Sequence, residues 1–351
     1  MRLSSRGWFA LSIFFSLTVI LIIFATTFNQ DTVGYVLSFN FLFLGLAILF
    51  RVLALVLWGL RIRLMSASVG YRVGFFHCVN MVLAGLLAGT ITPGQAGGEP
   101  VRVHELYRSG VTIGDATAIV IMERVLDGII LTAIGVILMF LVTSFVFSIL
   151  NPALVILIII AWVFMISFLI IPILAIRYPE RTKKLLMKLV HWLVPHFGRF
   201  FTSPQSVTDR IDHEIDNVFL SMTRFTGPAW RGLFFGGIVT VLFWISEFLV
   251  ASVIMMGLGL EPFIFESFFF QIIIAIIMMV PLTPGSSGVT ELSTSSLYAL
   301  IIPSGMIGIF VLLWRFVTFY LNILLGTIAG IVIFRRELEH KKEKGVSKET
   351  G

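Results

Sequence analysis

Apolar residues run through this chain in long blocks divided by short polar turns. A helix needs about 20 predominantly apolar residues to cross a bilayer. The blocks at about 8–28, 35–60, 116–147, 153–176, 232–258 and 305–334 are of that order. Two further runs, 74–91 and 100–111, are only half as long and are separated by TPGQAGGE at 92–99. A matching segment, TPGSSGVTE at 283–291, interrupts the apolar stretch 263–303. The pattern predicts an all-α, polytopic membrane bundle containing two broken hairpins.

The basic residues give the bundle a direction. Arg2 and Arg6 precede the first span, and Arg61, Arg63 and Arg72 follow the second. Arg177, Arg181, Lys183, Lys184, Lys188, Arg199, Arg210 and Arg224 fill the polar stretch after residue 176, and Arg335, Arg336, Lys341, Lys342, Lys344 and Lys348 follow the last span. The turns at 29–34, 151–152 and around Glu261 carry no Lys or Arg. Cytoplasmic loops are the ones enriched in these residues, so both termini and the 177–230 linker are expected in the cytoplasm of a plasma-membrane protein. Parity then makes 74–111 begin and end inside, and 263–303 begin and end outside. Each is expected to be a re-entrant hairpin of two half-helices, the two entering from opposite faces.

The two breaks are also related to each other. Sliding the first forward by 191 positions lays Thr92 on Thr283, Pro93 on Pro284, Gly94 on Gly285 and Gly97 on Gly288. The same register lays Gly114 on Gly305, Arg124 on Arg315 and Gly135 on Gly326. Leu and Val coincidences mean little in so apolar a chain, but scarce residues falling together point to an inverted-topology repeat. One membrane domain, 1–351, would hold a first repeat at about 35–176, the linker at about 177–230, a second repeat at about 231–334 and a basic tail at 335–351.

Composition agrees: 58% of residues are hydrophobic, 13% are charged and the mean hydropathy is +1.02, which excludes a soluble globular protein. The net charge of +6 resides beside the spans, where it reports orientation and contact with anionic lipid headgroups, so no nucleic-acid partner is expected. Cys78 is the single cysteine, so no internal disulfide forms, and an inert packed thiol is expected there.

Candidate chemistry lies where polarity costs most. Backbone freed by Pro and Gly cannot face lipid, so Thr92, Pro93, Gly94, Gly97 and Gly98, with Thr283, Pro284, Gly285 and Gly288, are expected to line a protein-enclosed or wet centre. The second limb of each hairpin starts at its break and offers free amides to an anion. Glu99 and Glu291 occupy those same termini, either as caps or as protonatable groups that gate binding. Pro100 suits the first turn of the earlier limb, and Thr290 is a candidate cap for the later one. Glu123, Arg124 and Asp127 lie deep in the third long block, with Arg315 at the equivalent place and Asn322 two turns beyond it. Charges at such depth mark a substrate or ion path, or else act as struts that pair Arg124 and Arg315 with Glu99 and Glu291. Arginine suits phosphate because its fork binds in two places and stays protonated. Glu247 either bonds to a neighbouring helix or takes part in proton coupling. Arg102, His104, Glu105 and Arg108 form a polar cluster expected to face a cytoplasmic vestibule, and His77 and Asn80 are expected to be packing residues. No metal-ligand spacing, phosphate-binding loop or nucleophile-and-base set is visible, so no metal, cofactor or enzymatic activity is expected.

The motifs TPGQAGGEPVRV, ATAIVIMERVLDG, LTPGSSGVTE and LLWRF resemble the flippase-like membrane domain of the lysylphosphatidylglycerol synthase family, over about residues 10–335. The resemblance implies lipid translocation and bears on Pro93, Gly94, Gly97, Gly98, Glu99, Arg102, Glu123, Arg124, Asp127, Pro284, Gly285, Gly288, Glu291 and Arg315. Members that aminoacylate phosphatidylglycerol do so with a large cytoplasmic domain. This chain ends shortly after its last span, so lysyl transfer is not expected. The leading expectation is a transporter moving a phospholipid or polyprenyl-phosphate-linked lipid between leaflets, with Arg124 and Arg315 on the phosphate. The alternatives are a small-anion carrier, proton-coupled through Glu99 or Glu291, and a non-transporting subunit of a lipid-linked glycan pathway. The expected partners are membrane lipids with anionic headgroups, together with a second copy of the chain or a lipid-pathway enzyme.

Overall fold

The structure, a computed structural model, describes residues 5–92, 94–149, 177–197, 204–279 and 283–349, with scattered positions between 156 and 174. Pro93, the 151–152 turn and most of the expected span 153–176 lie outside the described residues.

The described elements are all helices: α1 (Ser5–Thr27), α2 (Thr32–Ser38), α3 (Phe41–Ser68), α4 (Phe75–Thr90), α5 (Gly98–Arg108), α6 (Ile113–Leu141), α7 (Thr143–Ile149), α8 (Pro179–Phe197), α9 (Pro204–Thr226), α10 (Trp230–Gly257), α11 (Ile264–Met279), α12 (Val289–Tyr298), α13 (Ser304–Arg315) and α14 (Leu321–Glu349). A π-helical turn, Phe316–Tyr320, joins the last two. Among the described residues, five stretches are long and apolar enough to cross a membrane: Ala10–Thr27, Phe41–Ser68, Ile113–Leu141, Trp230–Gly257 and Ser304–Arg335. The chain is therefore an integral, multi-pass helical membrane protein.

Two expected boundaries move, for local reasons. The block at 35–60 divides because the Asn40 side chain accepts the Leu42 amide at 3.0 Å and caps a new helix, α3, which then continues past Leu60 to Ser68. The block at 116–147 starts earlier, because Thr112 accepts the Asp115 amide at 3.2 Å, and ends at Leu141 before the short α7. The polar stretch after 176 is folded rather than extended. Lys183 bridges α8 to Asp216 and Asp212 of α9 at 2.7 and 3.0 Å, and α9 lies on the start of α6 through Arg224–Asp115 at 3.2 Å and the buried Phe225.

The 191-residue register reappears in the backbone. α5 and α12 begin at matched positions, Gly98 and Val289, as do α6 and α13 at Ile113 and Ser304. At the breaks, Gly94 and Gln95 have φ of 58° and 59°, and Gly285 and Ser286 have φ of 57° and 55°. Two successive left-handed residues are uncommon, and a non-glycine there costs roughly 1–2 kcal/mol. Their recurrence at matched positions means that both breaks make the same turn.

The corresponding helices α3 and α10 pack antiparallel along their length. Asn40, just before α3, donates its amide to the Gly257 carbonyl at 3.0 Å at one end. At the other, Gly232 abuts Ser68 so closely that an added Cβ would fall 2.0 Å from its Oγ. The α4–α5 hairpin has both its ends at the Ser68 end of α3, where the Tyr71 hydroxyl donates to Asp115 at 2.6 Å. The α11–α12 hairpin has its ends at the opposite extremity, where the 29–40 segment holds both Gly257 and, through a Thr32 hydroxyl donated to its carbonyl at 3.2 Å, Gly305. α3 is about 42 Å long at 1.5 Å per residue, so the two hairpins reach inward from opposite ends of the bundle. Their tips touch: the Gly285 amide donates to the Thr92 carbonyl at 3.0 Å. Ser12 of α1 closes the junction by donating to Pro284 O at 3.4 Å and sharing a 3.1 Å hydrogen bond with Ser287.

Lipid tails are as apolar as leucine, so packing here depends on close contact more than on burial. Gly326 of α14 supplies one such contact, its missing side chain leaving room for the Leu83 carbonyl of α4 at 2.7 Å from where a Cβ would be. Two apolar clusters result, one around Ile62, Met81, Leu106 and Ile119, the other around Phe248, Phe270, Tyr298 and Phe310.

Candidate functional site

Where the two tips meet, a cavity of about 410 Å³ opens between them and the surrounding helices. Gly94, Gln95 and Gly98 of the first break and Gly285 of the second form part of its wall, with Glu99, Arg102, Arg124, Asp127, Arg315, Asn322 and Glu247. Charged or polar residues singled out from sequence, spread over more than 220 positions, thus come to one place. Thr92 and Thr283 hold the turns: Thr92 Oγ1 accepts the Gly97 amide at 2.8 Å, and Thr283 Oγ1 donates to the Ser287 carbonyl at 2.8 Å. Thr92, Gly97, Thr283, Pro284 and Gly288 are not among the lining residues, and Pro93 lies outside the described residues.

Glu123 and Glu291 stand behind this wall, fully buried. Glu123 accepts from Trp58 Nε1 at 2.8 Å and from Arg61 Nε at 3.1 Å. Asp127, one turn on and on the same face, accepts from Arg61 at 2.6 Å and Trp244 Nε1 at 3.1 Å, with Arg124 at 3.3 Å. Arg61 had read as an end-of-span marker. It is instead wholly buried, because α3 runs two turns beyond it and carries it against α6. Glu291 takes the Gly288 amide at 2.7 Å, the Arg315 Nε at 2.8 Å and the Ser16 hydroxyl at 2.5 Å. It is therefore the cap of α12, whereas Thr290 turns its hydroxyl back to the Ser286 carbonyl.

The expected Arg124–Glu99 strut does not form. Glu99 meets Arg102 at 3.4 Å, one turn further along α5, and Arg124 takes Asp127. Nor does Arg102 face a vestibule. The turn of α5 brings it inward, 2% exposed, while its neighbour His104 faces out and Glu105 lies between His77 and Arg108, 3.7 Å from each. The guanidinium carbons of Arg61, Arg102 and Arg124 lie 5.7, 5.1 and 5.5 Å from the Trp58 ring centre, so one indole face and edge set serves three cations. Arg102 Nε, Arg124 Nε and Glu123 Oε2 lack hydrogen-bond partners although buried. Unmet donors of this kind are costly in a low-dielectric interior.

Arg51 and Trp58 carry no expectation from the sequence. Arg51 donates to Asn322 Oδ1 from Nε and NH2 at 3.1 and 3.0 Å and pairs with Glu247 through NH1. Arg51 and Glu247 are each an isolated charge within an apolar block, and charge balance alone would have paired them. The π-helical turn after Arg315 also went unseen. It brings the Phe319 ring to 4.2 Å from that guanidinium, an insertion type frequent at functional sites.

This constellation sits within a recognised family. The profile described as the lysylphosphatidylglycerol synthase TM region matches residues 8–326, and the chain belongs to that family. A UPF0104 membrane protein of Archaeoglobus fulgidus is 34% identical over 322 residues, covering 91% of this chain and 95% of that protein. UPF0104 membrane proteins of Pyrococcus horikoshii and Methanothermobacter thermautotrophicus are each 24% identical, the first over 93% of this chain and 97% of its own length, the second over 70% and 72%.

Proposed function

We propose that the protein is a lipid transporter of flippase type, which passes the phosphate headgroup of a phospholipid or polyprenyl-phosphate-linked lipid through the central cavity while the acyl chains stay in the bilayer. In this reading the α4–α5 and α11–α12 hairpins are re-entrant and the repeats inverted in the plasma membrane, with both termini cytoplasmic. Alternating access opens the cavity to one leaflet at a time. Arg102 and Arg124 take the phosphate, stacked against Trp58. Arg315, Arg51 and Asn322 form the opposite wall. No covalent step is assigned to any residue.

The observation that carries the proposal is the gathering of four guanidiniums, Arg51, Arg102, Arg124 and Arg315, along one cavity at the meeting of two broken hairpins. Polar backbone and charge survive at that depth only where they line a cavity or path. Membership in the family adds a lipid-related setting.

The test is reconstitution into vesicles containing fluorescent phosphatidylglycerol, with accessibility to an impermeant quencher followed in time. The parent should equilibrate the two leaflets, and Arg124→Ala and Arg102→Ala should slow this at least tenfold while remaining folded. Translocation as fast as the parent in both variants would refute the assignment. Uptake of a soluble phosphate diester without lipid movement would replace it with an anion carrier.

A further inference from the structure

The site is charge-balanced before any ligand arrives. Its guanidiniums, Arg51, Arg61, Arg102, Arg124 and Arg315, are matched by Glu247, Glu123, Glu99, Asp127 and Glu291. A phosphate diester carries one negative charge, so adding it alone would leave an uncompensated charge in a low-dielectric interior, which is strongly disfavoured. Something must offset it.

The carboxylates are not equally free to do so. Glu123, Asp127 and Glu291 are at most 1% exposed, and each is held by two or more donors. Glu247 is 18% exposed and paired with Arg51. Glu99 is 38% exposed and lines the cavity, and among the described residues its ion pair is with Arg102, at a long 3.4 Å. Arg102 is itself 2% exposed, its Nε has no hydrogen-bond partner, and its nearest other carboxylate oxygen, Glu123 Oε2, is 3.7 Å away. Glu99 therefore occupies the face of Arg102 that a phosphate oxygen would take.

Resting on the function proposed above, we propose that the site binds a monoanionic phosphate diester together with one proton, which Glu99 accepts as it gives up Arg102 to the ligand. The balance closes. The Glu99 carboxylate gains a proton and becomes neutral, the ion pair with Arg102 breaks, and the diester forms the replacing pair, so the site's net charge is unchanged. The other charged groups along the cavity are Arg51 on α3, Arg124 and Asp127 on α6, Glu247 on α10 and Arg315 on α13, with Arg61, Glu123 and Glu291 buried behind its wall. α4 contributes Cys78 and His77, the latter against Glu105. Among the described residues the closely held pairs keep their partners in both states, and Glu99 is the group that changes. The device would couple each lipid passage to a proton.

The experiment is titration calorimetry on the full chain in non-ionic detergent, with dimethyl phosphate and dioctanoyl phosphatidylglycerol as separate probes. Neither probe titrates near neutral pH. Repeating each titration in buffers of different ionisation enthalpy gives the protons taken up per ligand. The parent should take up about one, and its Kd should weaken about tenfold per pH unit over the range in which Glu99 is ionised. Glu99→Gln should bind with no proton uptake and a flat pH profile, and Glu99→Ser should behave alike. Proton uptake persisting in both variants, or binding by the parent without uptake, overturns the coupling and leaves the binding site standing. Failure of both probes to bind overturns both readings. A response to the lipid alone names a lipid headgroup, and a response to both names the diester group itself.

Discussion

Replacing Arg61 with methionine is the sharpest probe of how the charged centre is held. The side chain is 1% exposed and lies 2.6 Å from Asp127, 3.0 Å from Glu123 and 3.2 Å from the Thr240 hydroxyl. Removing one member of a buried ionic group costs about 3–5 kcal/mol, because the charges left behind stay desolvated. Here the loss should fall near the lower bound. Asp127 keeps Arg124 and Trp244, and Glu123 keeps Trp58. We expect about 3 kcal/mol for Arg61→Met, read as a shifted midpoint when the full chain is unfolded by sodium dodecyl sulfate in mixed micelles. The triple change Arg61→Met, Glu123→Gln and Asp127→Asn removes the charges together and should return most of that loss. Arg63→Met, two residues on and exposed, should lie within about 0.5 kcal/mol of the parent. If Arg61→Met were no more damaging than Arg63→Met, the buried triad would not hold α3 to α6, and the site's geometry would lose its support.

Two other perturbations test separate joints. Gly285→Ala places a Cβ at φ 57° and 2.9 Å from the Thr90 carbonyl, strains the turn and disturbs the Thr92 hydrogen bond, so it should cost about 2–3 kcal/mol. Gly70→Ala meets only the backbone strain of φ 98° in open space and should cost about 1 kcal/mol, and the difference in unfolding midpoint isolates the junction of the tips. Arg51→Gln and Glu247→Gln, alone and combined, should show a coupling of about 1–2 kcal/mol in a double-mutant cycle, and strict additivity would deny their pairing.

Much of this architecture was legible in the chain because membranes restrict what backbone can do. The half-length runs and their Pro-Gly punctuation marked the paired half-length helices α4–α5 and α11–α12 and the breaks between them. Long-range partners were less visible. Arg61 reads as the end of a span because a basic residue after an apolar block normally marks one, and its depth depends on where α3 stops, which is set by contacts near Ser68 rather than by hydropathy. Glu99 and Glu291 each stand in the first turn after a break, but in the 191-residue register Glu99 falls on Thr290, and Glu291, one position on, accepts the Gly288 amide. Gly97 has φ of −69° where Gly288 has φ of 85°, so the shared turn diverges just before the helices begin, and with it the reach of the two carboxylates.

The central claim is that the two hairpins penetrate the membrane from opposite faces and meet at the cavity. Single cysteines at positions 72, 110, 261 and 303, in a background with Cys78 replaced, can be labelled with an impermeant maleimide in sealed right-side-out and inverted vesicles. With the hairpins entering from opposite faces, 72 and 110 react only in the inverted vesicles and 261 and 303 only in the right-side-out ones. Labelling of 72 and 110 from contrary faces would mean that α4 and α5 together cross the bilayer, and the proposed meeting point would not exist.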